Sequence, residues 1–74
     1  MGDISMPLIM LGSGVKKRIV KVSGKDKVRR FLESLGFVEG AEVSIVSELA
    51  GNMIVNVKDS RVAIDRELAR CILV

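Results

Sequence analysis

The stretch from Lys25 to Glu48, KDKVRRFLESLGFVEGAEVSIVSE, decides the fold of this chain. In its first half the apolar residues recur at helical spacing and cover one face: Val28, Phe31, Leu32 and Leu35. Gly36 follows at once, at the point where helices commonly end in a left-handed residue. Alternating residues begin after Gly40. The stretch therefore predicts a short amphipathic helix, capped by Ser23 or Asp26, then an abrupt stop and a strand.

Downstream of this stop, alternating patterns predict a series of antiparallel strands joined by tight turns. The residues predicted to face inward are Ala41, Val43, Ile45, Met53, Val55 and Val57. Gly51-Asn52 and Asp59-Ser60 are predicted as two-residue turns. We expect Asp65 to cap a final helical turn, and Ile72–Val74 to form a closing strand.

Upstream of the helix, two segments predict an interrupted opening strand, Leu8–Leu11 and Val15–Val22, with Gly12–Gly14 between them. Strands at such short and even spacing favour a mainly β fold. We predict a small barrel with a short α-helix inserted after the first strand and a short C-terminal helical turn. We expect one domain over residues 1–74, with residues 1–7 flexible.

The composition limits the class of protein. With 74 residues, of which 49% are hydrophobic, the chain can build one small core. Cys71 is the only cysteine, so an intrachain disulfide is impossible and a reducing, cytoplasmic setting is expected. No targeting or membrane-spanning segment is predicted.

The side chains that catalysis uses are scarce in this sequence. It contains no His and no Tyr, and its one thiol lies in the apolar run CILV at residues 71–74. General acid–base and nucleophilic chemistry need a positioned pair such as Ser–His or Cys–His. We therefore expect that the protein is not an enzyme.

The same inventory bears on metal binding. Tight Fe²⁺ or Zn²⁺ sites use imidazole or thiolate ligands, and this chain offers a single thiol and no imidazole. Cys71 is interpreted as a small core residue, with a role as a metal ligand left open. No cofactor is assigned, and no metal ligands are assigned. A weak site for Fe²⁺ or another divalent transition metal, built from Asp and Glu, is a hypothesis.

A basic cluster lies in the first half of the chain. Residues 16–30 hold eight Lys or Arg residues and one acidic residue, within a net charge of +3 for the chain. Lys16, Lys17 and Arg18 are candidates for binding an acidic protein partner or, indirectly, the anionic inner membrane surface. Nucleic acid is disfavoured, because both aromatic residues are predicted in the core and leave no stacking platform. A solvated face is the alternative interpretation.

Apolar residues also occur on strand faces that should be exposed to solvent. Val46 and Ile54 lie on the outward side of their strands, and residues 7–11, PLIML, are apolar throughout. A contiguous exposed apolar patch marks an interaction site. Leu11, Val46 and Ile54 are therefore candidates for binding a partner or for forming a homodimer.

The order and spacing of these features resemble the FeoA family, small cytosolic proteins of bacterial ferrous iron uptake. The resemblance covers residues 8–74. It rests on RRFLESLGFVEG at residues 29–40, the hairpin around Gly51-Asn52, and VAIDRELARCILV at residues 62–74.

This resemblance implies an SH3-like barrel in which Gly36, Phe37 and Gly40 have structural roles. It further implies a binding module that docks on the cytosolic part of a FeoB-type membrane iron transporter and GTPase, and modulates it. Whether it activates or restrains that partner is left open. The alternative is a metal-associated regulatory or nucleic-acid-binding barrel, similar to the C-terminal domain of DtxR-type metal-dependent repressors.

Overall fold

The computed structural model describes residues 5–74 and shows a mainly β fold, as the sequence predicted. Its strands are β1 (Lys16–Arg18), β2 (Lys21–Val22), β3 (Glu42–Leu49), β4 (Asn52–Val57), β5 (Ser60–Asp65) and β6 (Ile72–Leu73). Its helices are α1 (Asp26–Ser34) and α2 (Arg66–Arg70), preceded by a 3-10 turn at Leu8–Met10. Within the described residues, no helix has the length and apolar character needed to cross a membrane.

The strands form two antiparallel sheets over a shared core. The larger sheet has the order β1-β3-β4-β5, and the smaller one pairs β2 with β6. The segment between β1 and β2 connects them. The Ile19 N–H donates to the Ala41 carbonyl at 2.9 Å, and the Val20 N–H donates to the Leu73 carbonyl at 2.7 Å. Between residues 5 and 74 the strand ladders form two sheets and not one continuous barrel, an arrangement that is compatible with the predicted SH3-like barrel.

The two ends of the described chain lie side by side. The Met6 N–H donates to the Val74 carbonyl at 2.9 Å, and the Val74 N–H donates to the Met6 carbonyl at 2.8 Å. Pro7 forms an antiparallel bridge with Leu73. The expected flexibility of residues 1–7 stays a prediction, and residues 1–4 of this range lie outside the described part.

Two hairpins with two-residue loops set the register of the larger sheet. Ala50 (φ 53°) and Gly51 (φ 84°) connect β3 to β4, and Lys58 (φ 49°) and Asp59 (φ 64°) connect β4 to β5. Two consecutive residues with positive φ form a type I′ turn, whose twist matches that of antiparallel strands. Both turns lie one residue earlier than predicted, because the residue that follows each turn already pairs in its strand.

The N-terminal apolar segment forms a 3-10 turn, so the predicted strand over residues 8–11 is wrong. The Leu11 N–H donates to the Leu8 carbonyl at 2.9 Å. Residues three apart share one face of a 3-10 turn, so Leu8 and Leu11 both enter the core while Met10 is 70% exposed. Leu11 is only 9% exposed, which corrects its assignment to an exposed patch.

Helix α1 buries a narrower stripe than the sequence predicted. Leu32 is fully buried, and Val28 and Leu35 pack against the core from partly buried positions. Phe31 is 50% exposed, so its predicted place in the core is wrong. Successive residues are turned by about 100° around a helix axis, so burial of Leu32 directs Phe31 sideways to solvent.

The predicted helix caps of α1 are also wrong. Lys25 occupies the N-cap position, and its side chain makes no capping hydrogen bond. Asp26 lies inside the first turn and forms an ion pair with Arg29. The Ser23 hydroxyl donates to the Cys71 carbonyl at 3.2 Å, which ties the start of the helix to the C-terminal segment.

A Schellman motif ends α1 and returns the chain to the core. The Gly36 N–H donates to the Glu33 carbonyl at 3.0 Å, and the Phe37 N–H donates to the Leu32 carbonyl at 3.0 Å. This hydrogen-bond pair requires a left-handed residue, and Gly36 has φ 106°. Phe37 and Leu32 are both fully buried, as the apolar contact that accompanies this motif requires.

The core occupies the space between the two sheets, α1 and the 3-10 turn. Its buried side chains are Leu8, Leu11, Ile19, Leu32, Phe37, Val43, Ile45, Met53, Val55, Val57, Ile64, Ala69, Ile72 and Val74. The strict alternation of buried residues along β4 confirms the predicted period of two. Since apolar residues occupy the inward positions, the outward positions of these strands are available for contacts with other molecules.

Asp65 caps α2, as predicted. Its Oδ1 atom accepts a hydrogen bond from the Leu68 N–H at 2.8 Å. The helix then covers the core with Ala69 and leads into β6, which confirms the predicted closing strand.

We expect Gly36→Ala to lower the free energy of unfolding by roughly 1–2 kcal/mol, because an L-residue is strained in the left-handed region. A Cβ atom there would lie 3.5 Å from the Lys58 side chain and 3.6 Å from Val57, so strain dominates over clash. Urea denaturation measures the change. Gly12→Ala is the control, since Gly12 has open space beyond Val15 at 3.9 Å. Equal losses in the two variants would contradict the prediction.

Asp65→Ala should lower the free energy of unfolding by about 1 kcal/mol, because the Leu68 N–H loses its acceptor. Asp65→Asn should cost less, since an amide oxygen accepts the same hydrogen bond. Chemical denaturation of both variants distinguishes the capping role from a role of the charge. A larger cost for Asn than for Ala would rule out the cap as the source of stability.

Candidate functional site

The outer face of the larger sheet carries most of the residues that the sequence singled out. Val43, Val55 and Val57 are buried on the inner face, so the residues between them point away from the core. The strand register places three rows across the outer face: Lys16, Ser44, Asn56 and Arg61; then Ser47, Ile54 and Ala63; then Leu49, Asn52 and Asp65.

A β-bulge in β3 widens the middle row. The register shifts between Ile45 and Ser47, so Val46 and Ser47 together lie opposite Ile54. Val46 is 36% exposed and Ile54 is partly buried. The structure therefore places both of these predicted residues next to each other on the outer face.

The residue that the sequence analysis missed on this face is Leu49, which is 71% exposed. Strict alternation from Ile45 would direct Leu49 to the core, and only the bulge reverses its direction. No pattern in the sequence predicts this bulge. We call Val46, Leu49, Ile54 and Ala63 the apolar patch.

A polar groove of about 470 Å³ adjoins the apolar patch, at the end of the sheet near the Lys58-Asp59 turn. Its lining residues are Lys16, Glu42, Val43, Ser44, Asn56, Val57, Lys58, Asp59 and Arg61. Three of these carry positive charge and two carry negative charge. The row from Lys16 to Arg61 spans three strand spacings, about 14 Å. The groove can thus contact charged groups of either sign on a partner.

One edge of the larger sheet is strongly basic. Strand β1 consists of Lys16, Lys17 and Arg18, and all three are exposed. Lys16 lies in the row that ends at Arg61, and Arg18 pairs with Glu42. A short strand of like charges discourages pairing with a further strand and leaves its cations available to an acidic surface.

Leu11 and Phe31 exchange the roles that the sequence suggested for them. Leu11 was predicted to contribute to an exposed patch, yet it lies in the core and is not brought to the outer face. Phe31 was predicted in the core, yet it is exposed on α1. Gly40, with φ 86°, lies in the loop before β3, and a Cβ atom there would meet nothing within 4 Å.

The single thiol lies away from these surfaces, at the end of α2. Cys71 is partly buried, and its Sγ donates to the Glu67 carbonyl at 3.6 Å. A Cβ atom on Gly24 would lie 3.3 Å from that Sγ. Among residues 5–74, no three Cys, Asp or Glu side chains lie together as metal ligands. No metal ligands are assigned.

A protein-family model decides the identity of this fold. The model of the FeoA domain matches residues 6–74. The chain belongs to the FeoA family. This confirms the resemblance seen in the sequence.

Solved structures of other FeoA proteins share the fold. An iron uptake regulatory protein (FeoA) is 28% identical, with a TM-score of 0.86 over 95% of this chain and 95% of that one. FeoA of Stenotrophomonas maltophilia, solved in complex with zinc and described as a prokaryotic SH3 domain protein, is 27% identical. Its TM-score is 0.79 over 90% of this chain and 86% of that one. A search of curated proteins found no match.

The same fold occurs as one part of a longer regulator. A manganese-dependent transcriptional repressor, solved in complex with manganese, aligns with a TM-score of 0.87 and 17% identity. The alignment covers 97% of this chain and 36% of the repressor. At this level of identity the likeness concerns the fold alone.

Proposed function

We propose that this FeoA protein is cytoplasmic and docks, through the outer face of its larger sheet, on the cytosolic part of a FeoB-type membrane iron transporter. In this role it modulates the assembly or the GTP-linked activity of the transporter. The observation that carries the proposal is the combination, on one sheet, of the apolar patch, the polar groove and the basic edge.

The apolar patch supplies the affinity in this proposal. Leu49 is 71% exposed although it is a large aliphatic residue, and it lies on the same face as Ile54 and Val46, in the neighbouring row. Full burial of such a side chain contributes about 2 kcal/mol. Exposed apolar area that is contiguous and rimmed by polar groups is typical of protein-binding surfaces.

The charged groups supply orientation and association rate. Lys16, Lys17 and Arg18 present three exposed cations along one edge. Charges at the rim of an interface change mainly the on-rate and its dependence on salt. An acidic partner surface would therefore be guided toward the edge of the sheet that adjoins the groove.

The relatives support a role beside the transporter. Stenotrophomonas maltophilia FeoA was described as a candidate activating factor of bacterial ferrous iron transport. The likeness to the manganese-dependent repressor does not support a regulatory function here, because its 17% identity concerns the fold alone. Nucleic acid is a less favoured partner, since Glu42 and Asp59 interrupt the three cations of the groove that phosphate groups would contact.

Leu49→Lys should weaken binding to the cytosolic part of the FeoB-type protein of the same organism by at least about tenfold, since burial worth about 2 kcal/mol is lost. Ile54→Lys should have the same effect. Isothermal titration calorimetry measures both affinities. Met10→Lys is the matched control, because Met10 is 70% exposed but lies on the 3-10 turn. Wild-type affinity in both sheet variants would overturn the docking proposal.

The combined change of Lys16, Lys17 and Arg18 to Glu should slow association with the same fragment and reverse its dependence on salt, because the partner then meets like charges. Stopped-flow kinetics at several salt concentrations measures this effect. The charge-matched control changes three cations near or on α1 to Glu: Lys25, Lys27 and Arg30. An equal effect of both triple variants would show that net charge acts, and not the basic edge.

A further inference from the structure

Strand β5 (Ser60–Asp65) forms the edge of the larger sheet opposite the basic edge. It pairs with β4 along its full length, and in residues 5–74 no backbone hydrogen bond joins it to a further strand. An open edge of this kind is a template for another strand. Over its six residues β5 contains no Lys, no Pro and no bulge, and its charged residues, Arg61 and Asp65, lie near its two ends.

The hairpin geometry determines which backbone groups of β5 face the open side. The residue pair that closes a two-residue hairpin is hydrogen-bonded, and the pairs alternate from there. In β5, Ser60, Val62 and Ile64 therefore bond with β4. Arg61 and Ala63 direct their N–H and C=O groups toward the open side, where a second strand can pair with them.

The sequence of β5 is self-complementary about Ala63. Residues 61–65, RVAID, run from a base through apolar residues to an acid. When two copies pair antiparallel with Ala63 opposite Ala63, Arg61 of each copy lies opposite Asp65 of the other. Both charged side chains are exposed, and no ion pair engages Arg61 within the described part of the chain. Opposite charges at directly paired positions stabilise a sheet.

We propose that β5 is a dimerisation strand, which pairs antiparallel with β5 of a second copy of this chain about a two-fold axis at Ala63. The pairing joins the two larger sheets into one sheet of eight strands. This proposal is independent of the transporter-docking function.

Each part of the strand has a defined role in this dimer. The two Ala63 residues exchange N–H and C=O bonds, and each Asp65 N–H donates to the Arg61 carbonyl of the second copy. Asp65 uses Oδ1 to cap α2, which leaves Oδ2 for the guanidinium group of Arg61. On the outer face the pairing brings Ile54 and Ala63 of both copies into one continuous apolar area. On the inner face Val62, which is partly buried, lies opposite Ile64 of the second copy.

The size of the contact sets the expected strength. Pairing of one six-residue strand buries less surface area than a stable interface needs, which is about 1,000 Å². The dimer should therefore be weak and dependent on concentration, dissociating in the micromolar range or above. Because a weak dimer dissociates readily, its copies can exchange partners, and the outer face of the sheet can make other contacts.

Sedimentation velocity of the wild-type chain, up to millimolar concentration, should show the average mass rising from 8.0 kDa toward twice that value. Ala63→Lys places two cations against each other on the axis and should keep the chain monomeric throughout. Ser47→Lys is the matched control, since Ser47 lies in the same row two strands away from the edge. It should dimerise as wild type does.

Charge reversal tests the register. Arg61→Glu should abolish the rise in mass, because each Glu then faces Asp65 of the second copy. Combining Arg61→Asp with Asp65→Arg should restore dimerisation, even though the α2 cap is lost. Amide exchange adds a direct readout, since the N–H groups of Ala63 and Asp65 should gain protection with concentration, whereas that of Val62 should be protected at every concentration.

Three results would overturn the proposal. The first is a wild-type chain that stays at 8.0 kDa over the whole concentration range. The second is dimerisation of Ala63→Lys and Arg61→Glu at wild-type strength. The third is protection of the Ala63 and Asp65 amides that appears only when a transporter fragment is added, because the edge would then pair with that partner.

Discussion

The two tight hairpins, each with two residues at positive φ, set the register of β3, β4 and β5, and the functional surfaces follow from that register. A slip of one residue would turn every buried side chain of β4 to solvent and every outward one to the core. The turns thus determine the core, the three rows on the outer face, and the backbone groups that β5 presents to the open side. The bulge in β3 adds a local exception, which brings Leu49 to the surface.

Much of the fold can be read from the sequence, because local rules decide it. The left-handed position after α1 requires a glycine, which is Gly36. The alternation in β4 requires one side that faces solvent and one that faces the core. Asp65 can accept a capping hydrogen bond. The failures have physical causes that lie outside the local pattern. Phe31 matches a helical period, but α1 rests on the core through a single stripe. The segment 8–11 is apolar as a buried strand would be, yet a 3-10 turn buries it equally well.

The candidate site is less predictable, since it depends on which strands become neighbours. Alternation alone identified Val46 and Ile54 as outward residues, and charge alone identified Lys16. Only the pairing of β1 with β3 shows that these residues share one sheet, and only the bulge adds Leu49 to them. The two edges of that sheet also differ in kind. One is short and covered with cations, whereas the other is longer and has complementary charges at its two ends.

The reciprocal hydrogen bonds between Met6 and Val74 make residues 6 and 74 direct neighbours in space. Chain ends that meet in this way tolerate being joined by a short linker while a new break is made at an exposed loop tip. The Ala50-Gly51 turn is such a tip, because both of its residues are exposed. A circular permutant opened there would carry its two free ends beside Leu49. Fluorescent or cross-linking groups attached to those ends would then report directly on what approaches that side of the sheet.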